Sequence, residues 1–130
     1  MEIKDLMIGD SVFAPNGEIV KIIAIDGDGD GLVEVEYKDF TRAFIVGNLT
    51  PIPFSLTSLL HNGFILIGAE RGCYHYCDKR GNMFVDYCKE DDFLYIDVPN
   101  PIEILYAHQF QHLLRIYGLY DLADNIKIIE

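Results

Sequence analysis

The chain has 130 residues, half of them hydrophobic, with eight Tyr, eight Phe and no Trp. That composition excludes a disordered chain and suits one domain, or two small lobes sharing a core. With 21 acidic against 10 basic residues the formal charge is −11, a field that repels nucleic acid and anionic lipid surfaces and favours basic partners, cations or plain solubility.

The N-terminus, Met1-Glu2-Ile3-Lys4-Asp5, has no charged region followed by an apolar run. The three cysteines, Cys73, Cys77 and Cys88, are an odd set that points to a reducing, cytoplasmic setting. Apolar runs such as Phe64-Ile65-Leu66-Ile67 are strand-length, far short of the roughly 20 residues of a membrane span.

The first fifty residues read as short strands between tight turns. Val12-Phe13-Ala14 is a strand, Pro15-Asn16-Gly17 a turn and Ile19 to Ile25 a β-branched strand. A loop over Asp26 to Gly31 follows. In Leu32 to Tyr37, Val33, Val35 and Tyr37 share one face. Thr41 to Val46 completes the set, which predicts a small SH3-like β-barrel over residues 1–50. That architecture serves many unrelated functions.

Pro51-Ile52-Pro53 is a stiff connector. Beyond it the expectation is an α+β lobe over 51–130, packed with the barrel around a common core. Ser55 or Thr57 caps a short helix at 55–61, which Asn62-Gly63 ends. Strands occupy about 64–98 in an antiparallel sheet. Among them, Cys73 to Asp78 and Met83 to Cys88 form a hairpin on a two-residue Arg80-Gly81 turn. Pro101 opens one amphipathic helix at about 102–117, with Ile102, Leu105, Tyr106, Phe110, Leu113, Ile116 and Tyr117 on its apolar stripe.

Three stretches, Ile8-Gly9-Asp10-x-Val12, Pro51-Ile52-Pro53-Phe54-Ser55-Leu56-Thr57 with Asn62-Gly63-Phe64, and His108-Gln109-Phe110-Gln111-His112-Leu113-Leu114, occur in one order. In that order the chain resembles short uncharacterised proteins of gut Bacteroidetes and their phages and prophages, which carry "PIPLT…NGF" and "VHQLQ"-type motifs. Phe54 and Phe110 stand where those motifs have Leu, and Ala107 where they have Val. The resemblance implies a mobile-element or accessory setting and no activity, cofactor or catalytic residue.

Three polar groupings are candidates for chemistry. Asp26, Asp28 and Asp30 alternate with glycines like the opening of a calcium loop, but position twelve is Tyr37 rather than a bidentate Glu, and a solvated hairpin loop has the same composition. The hairpin places Cys73, His75 and Cys77 on one face, with Cys73 opposite Cys88, His75 opposite Asp86 and Cys77 opposite Phe84. A His–Asp pair beside a thiol suits a cysteine nucleophile. Zinc would need a bend that a flat strand lacks, and packed cysteines are the structural alternative. Third, His108 and His112 share a helix face, but Gln109 stands where a zinc protease has its general base, so the motif reads as docking, with Gln109 bonding backbone of the other lobe.

Tyr74, Tyr76 and Tyr87 belong to a tyrosine-rich C-terminal half, as at many interfaces. No phosphate loop, dinucleotide glycine pattern or serine elbow occurs. The expected function is therefore a non-enzymatic protein–protein interaction module with a protein partner, no nucleic acid, no membrane and no cofactor, and compatible with a homo-oligomer. Calcium at Asp26–Asp30 or zinc at the Cys/His groups is the first alternative, a cysteine-dependent enzyme the second.

Overall fold

The computed structural model describes residues 5–26, 31–97 and 101–128. The chain divides into two units, Met1–Ile52 and Pro53–Glu130. In the first, β1 (Ser11–Phe13), β2 (Ile19–Ile25), β3 (Leu32–Glu36) and β4 (Thr41–Ile45) form an antiparallel meander in that order. Alternation decides its faces: Val33 and Val35 are buried while Leu32, Glu34 and Glu36 are exposed. Val12, Val20, Ile22, Tyr37 and Leu49 complete the core over which the sheet folds.

The expected barrel does not form. The sheet is open, with β1 and β4 at its two edges. After β4 the chain takes a single 3-10 turn, Val46–Asn48, and reaches β1 only at Thr50. There Phe13 N–H donates to the Thr50 carbonyl at 2.8 Å and Thr50 N–H to the Phe13 carbonyl at 3.0 Å. Pro51 comes next and has no N–H with which to extend the ladder, so the strand that would close a barrel is one residue long.

The second unit joins three helices to a five-stranded antiparallel sheet. Helix α1 (Leu56–His61) starts at Ser55, whose hydroxyl accepts from Ser58 N–H at 3.4 Å. The strands are β5 (Ile65–Glu70), β6 (Cys73–Cys77), β7 (Phe84–Cys88), β8 (Phe93–Asp97) and β9 (Pro101–Ile104), paired in that order. Helices α2 (Ala107–Ile116) and α3 (Tyr120–Asp124) follow and pack on each other. Tyr76, Val85, Leu94, Ile96 and Ile104 are buried. Phe110 is fully buried and stacks on Phe54 at 4.4 Å, with Phe64 edge-on at 5.5 Å.

The C-terminal helix begins later than its proline suggests. Pro101 to Ile104 is an edge strand, with Ile102 opposite Ile96 and Ile104 opposite Leu94, and a proline is tolerated as the first residue of such a strand. Gln109 sets the helix start: its Oε1 accepts from Leu105 N–H at 2.9 Å and Tyr106 N–H at 3.0 Å, half of a capping box. The buried stripe is Ala107, Phe110, Gln111 and Leu114, while Ile116 is 76% exposed. The stripe turns this way because α3 folds back and offers the Ala123 carbonyl to Gln111 Nε2 at 2.9 Å. Among the described residues no helix is long and apolar enough to cross a membrane.

The β6–β7 turn is also wider than the two residues expected. Four residues, Lys79–Asn82, lie between Asp78 and Met83, whose backbones bond at 3.3 Å. The buried Asp78 carboxylate organises them, accepting from Asn82 N–H at 2.7 Å, Met83 N–H at 2.8 Å and Arg80 N–H at 3.3 Å. Gly81, at φ 72°, supplies the left-handed residue that lets the chain return. Removing these bonds strands the buried Met83 N–H, so Asp78→Ala is expected to cost about 2 kcal/mol and Asp78→Asn less. Urea unfolding reads this as a lower midpoint at unchanged slope. An unmoved midpoint would mean that solvent replaces the carboxylate.

Candidate functional site

The hairpin carries the polar cluster, and its ladder fixes the geometry. Lys89 N–H donates to the Gly72 carbonyl at 3.1 Å, and Asp78 N–H to that of Met83. These are hydrogen-bonded pairs, and pair types alternate along an antiparallel ladder. Cys73–Cys88, His75–Asp86 and Cys77–Phe84 are therefore the closer, non-hydrogen-bonded pairs. A polar row crosses the sheet at one level: Gly68, His75, Asp86, Tyr95 and Glu103 stand opposite one another from β5 to β9. Period two puts Cys73, Cys77 and Cys88 on this same face, the one not used by the core residues Tyr76 and Val85.

His75 Nδ1 and Asp86 Oδ1 lie 2.5 Å apart, with the imidazole 38% and the carboxylate 21% exposed. Beside them the Cys73 thiol is pushed up, first by its hydrogen bond with the Cys88 sulfur, then by burial and by the charges of Cys88 and Asp86, against a smaller lowering from the Tyr95 hydroxyl. That direction is opposite to the one a cysteine nucleophile needs. Burial, the Asp86 carboxylate and Cys73 push the Tyr95 phenol up to about 12. Cys77 is buried between the facing residues Ile65 and Phe84.

Asp26 directly follows β2, its N–H bonded to the Leu32 carbonyl at 2.9 Å; Asp28 and Asp30 lie outside the described residues. Among the described residues no three His, Cys, Asp or Glu side chains are gathered to hold a metal ion. The His108 and His112 rings meet edge to face at 5.8 Å, and His108 is buried and stacked on Tyr106. Gln109 bonds its own helix start rather than the other unit. Of the three hairpin tyrosines, Tyr76 is buried, while Tyr74 and Tyr87 are half-buried and face each other at 6.5 Å. The Tyr87 hydroxyl donates to Asp92 Oδ1 at 2.6 Å.

Two surface features escaped the sequence. The outer edge of β5 shows Ile65, Leu66 and Ile67 about half exposed, with Phe84 of β7 at 55%. The alternating pattern that marks a half-buried strand is absent there, because a bulge at Ile67 breaks the register. A cleft of about 480 Å³ is lined in part by His61, Asp78, Lys79, Arg80, Asp121 and Lys127. Asn62 closes it: its amide donates to the Lys127 carbonyl at 2.9 Å and accepts from Lys127 N–H at 2.8 Å, imitating a strand pair. Only the adjacent Lys79-Arg80 was a visible signal.

No family model, no curated protein and no solved structure matches the chain.

A raised phenol pKa means that the folded protein holds the proton more tightly than the unfolded chain. Its contribution to stability is complete below pH 10 and is lost as pH rises through about 12. Absorbance at 295 nm is expected to show a late-ionising tyrosine that Tyr95→Phe removes. Ionisation of Tyr95 together with exposed tyrosines near pH 10 would contradict the half-buried, anion-facing phenol.

Proposed function

We propose that the chain is a non-enzymatic protein-interaction module that takes an extended, basic segment of a protein partner along the free edge of β5. The observation that carries this is the edge itself. Among the described residues no strand pairs with its outer side, beside Ile65, Leu66 and Ile67, the combination by which a strand from another chain is added to a sheet. The opposite edge, β9, is blunted by Pro101 and Glu103. The charge of −11 disfavours a second copy and favours a basic partner. The resemblance in the short motifs supports an accessory role in a phage or mobile-element setting, and the odd set of three cysteines supports a cytoplasmic one.

An alternating Lys–Val peptide is the probe. Amide hydrogen exchange of the native protein is expected to slow in β5 when the peptide is added, and the double variant Ile65→Lys, Ile67→Lys is expected to abolish the effect while staying folded, since both side chains are exposed. Unchanged exchange in β5 would overturn the reading. So would slowing with protein concentration alone, which would make the occupant a second copy.

The cleft favours a second reading, that of an anion site. Lys79, Arg80 and Lys127 line it, and among the described residues no ion pair occupies them. Asp78 is already spent on three backbone N–H groups. Calorimetric titration with pyrophosphate is expected to show binding that weakens about tenfold in Arg80→Ala, equivalent to ~1.4 kcal/mol. No heat at millimolar pyrophosphate would discard the site.

A further inference from the structure

We infer that Cys73 and Cys88 form a paired-thiol site that exchanges with small-molecule disulfides and closes to a cross-strand disulfide between β6 and β7. The two residues are directly opposite in the ladder. The backbone bonds at Gly72–Lys89 and Asp78–Met83 place them in a non-hydrogen-bonded pair, where Cα atoms stand about 4.5 Å apart. Disulfides span Cα separations of roughly 4.4–6.8 Å, so the bond can close without moving either strand. Both side chains are on the same face, and both are half-buried rather than sealed. The Cys88 thiol also reaches Asp91 Oδ2 at 3.8 Å, a long and exposed contact that leaves its sulfur accessible.

The third cysteine sharpens the assignment. Cys77 is buried and faces Phe84, not a thiol. Of the three sulfurs, only the Cys73–Cys88 combination stands in register.

The chemistry balances with a low-molecular-weight disulfide as oxidant. Cys88 loses its proton to solvent and its thiolate attacks one sulfur of that disulfide, forming a mixed disulfide and expelling one small thiolate. Cys73 then gives up its proton and attacks the Cys88 sulfur, expelling the second small thiolate. Two protein thiols are oxidised and one small disulfide is reduced to two thiols. Half-burial leaves the product open to the reverse reaction with excess thiol.

The experiment is incubation of the native protein with glutathione disulfide at neutral pH, followed by intact mass and peptide mapping. The expected product is two hydrogens lighter, carries no glutathione, maps to Cys73–Cys88 and returns to the starting mass with dithiothreitol. Cys73→Ser is expected to stop at a glutathione adduct on Cys88, and Cys77→Ser to behave as wild type. A wild-type adduct that persists without closing, an intermolecular disulfide, or three unreacted thiols under native conditions would each overturn the site. The wild-type mapping decides the matter even where a serine variant fails to fold.

Discussion

The pairing of β6 with β7 is the constraint on which the second unit depends. In a strand the side-chain period is two, so a slip by one residue would exchange the faces. Tyr76 and Val85, now buried, would turn out to the exposed face, and His75 and Asp86 would turn into the core. Burying that polar pair and exposing those apolar groups is costly in both directions. The register is held at its closed end by one carboxylate: Asp78 gathers three N–H groups that a four-residue loop would otherwise leave to solvent. The polar row, the thiol pair and the cleft residues Lys79 and Arg80 are all placed by this one choice.

The helices then close the other face through polar as well as apolar contacts. Phe110 fills the centre against Phe54 and Phe64. Gln109 and Gln111 decide where the helix starts and which way it faces, since each answers a backbone group that would otherwise lack a partner. Asn62 does the same for the chain end at Lys127. Three side-chain amides thus fasten α1, α2 and the C-terminal segment, a role that hydrophobic area alone does not fill because it is not directional.

What was legible in the sequence follows from this division. Local periodicity and turn chemistry located Ile19–Ile25, the Val33–Val35–Tyr37 face and the cross-strand partners of Cys73, His75 and Cys77, and narrowed the α1 cap to Ser55 or Thr57, of which Ser55 serves. The hairpin register survived a wrong turn length because lengthening the loop by one residue on each side leaves every pairing intact. Barrel closure was not legible, since it depends on whether residues after β4 return to β1 over several positions, and Pro51 stops them after one. The helix stripe misled for a related reason. Leu113 and Ile116 fit a 3.6-residue period, but the buried side is chosen by α3 and its Ala123 carbonyl, which no periodicity in α2 encodes. The cleft was invisible because Asn62 joins positions 62 and 127, and nothing local marks that pairing.

Acidity as a whole-chain property also hides local order. The formal charge of −11 describes the far field, which falls off within about 10 Å at 0.1 M salt. At shorter range the second unit is heterogeneous: cations at the β6–β7 turn, apolar residues along β5, and thiols at the far end of the same hairpin. Among the described residues β5 is paired in the sheet with β6 alone, and Glu70, its last residue, stands directly opposite Cys73. The apolar residues Ile65 and Leu66, opposite Cys77 and Tyr76, and the thiol pair therefore sit at opposite ends of one ladder. A bond between Cys73 and Cys88 would tie β6, the strand against which β5 is paired, to β7 at the end of the ladder away from Ile65 and Leu66.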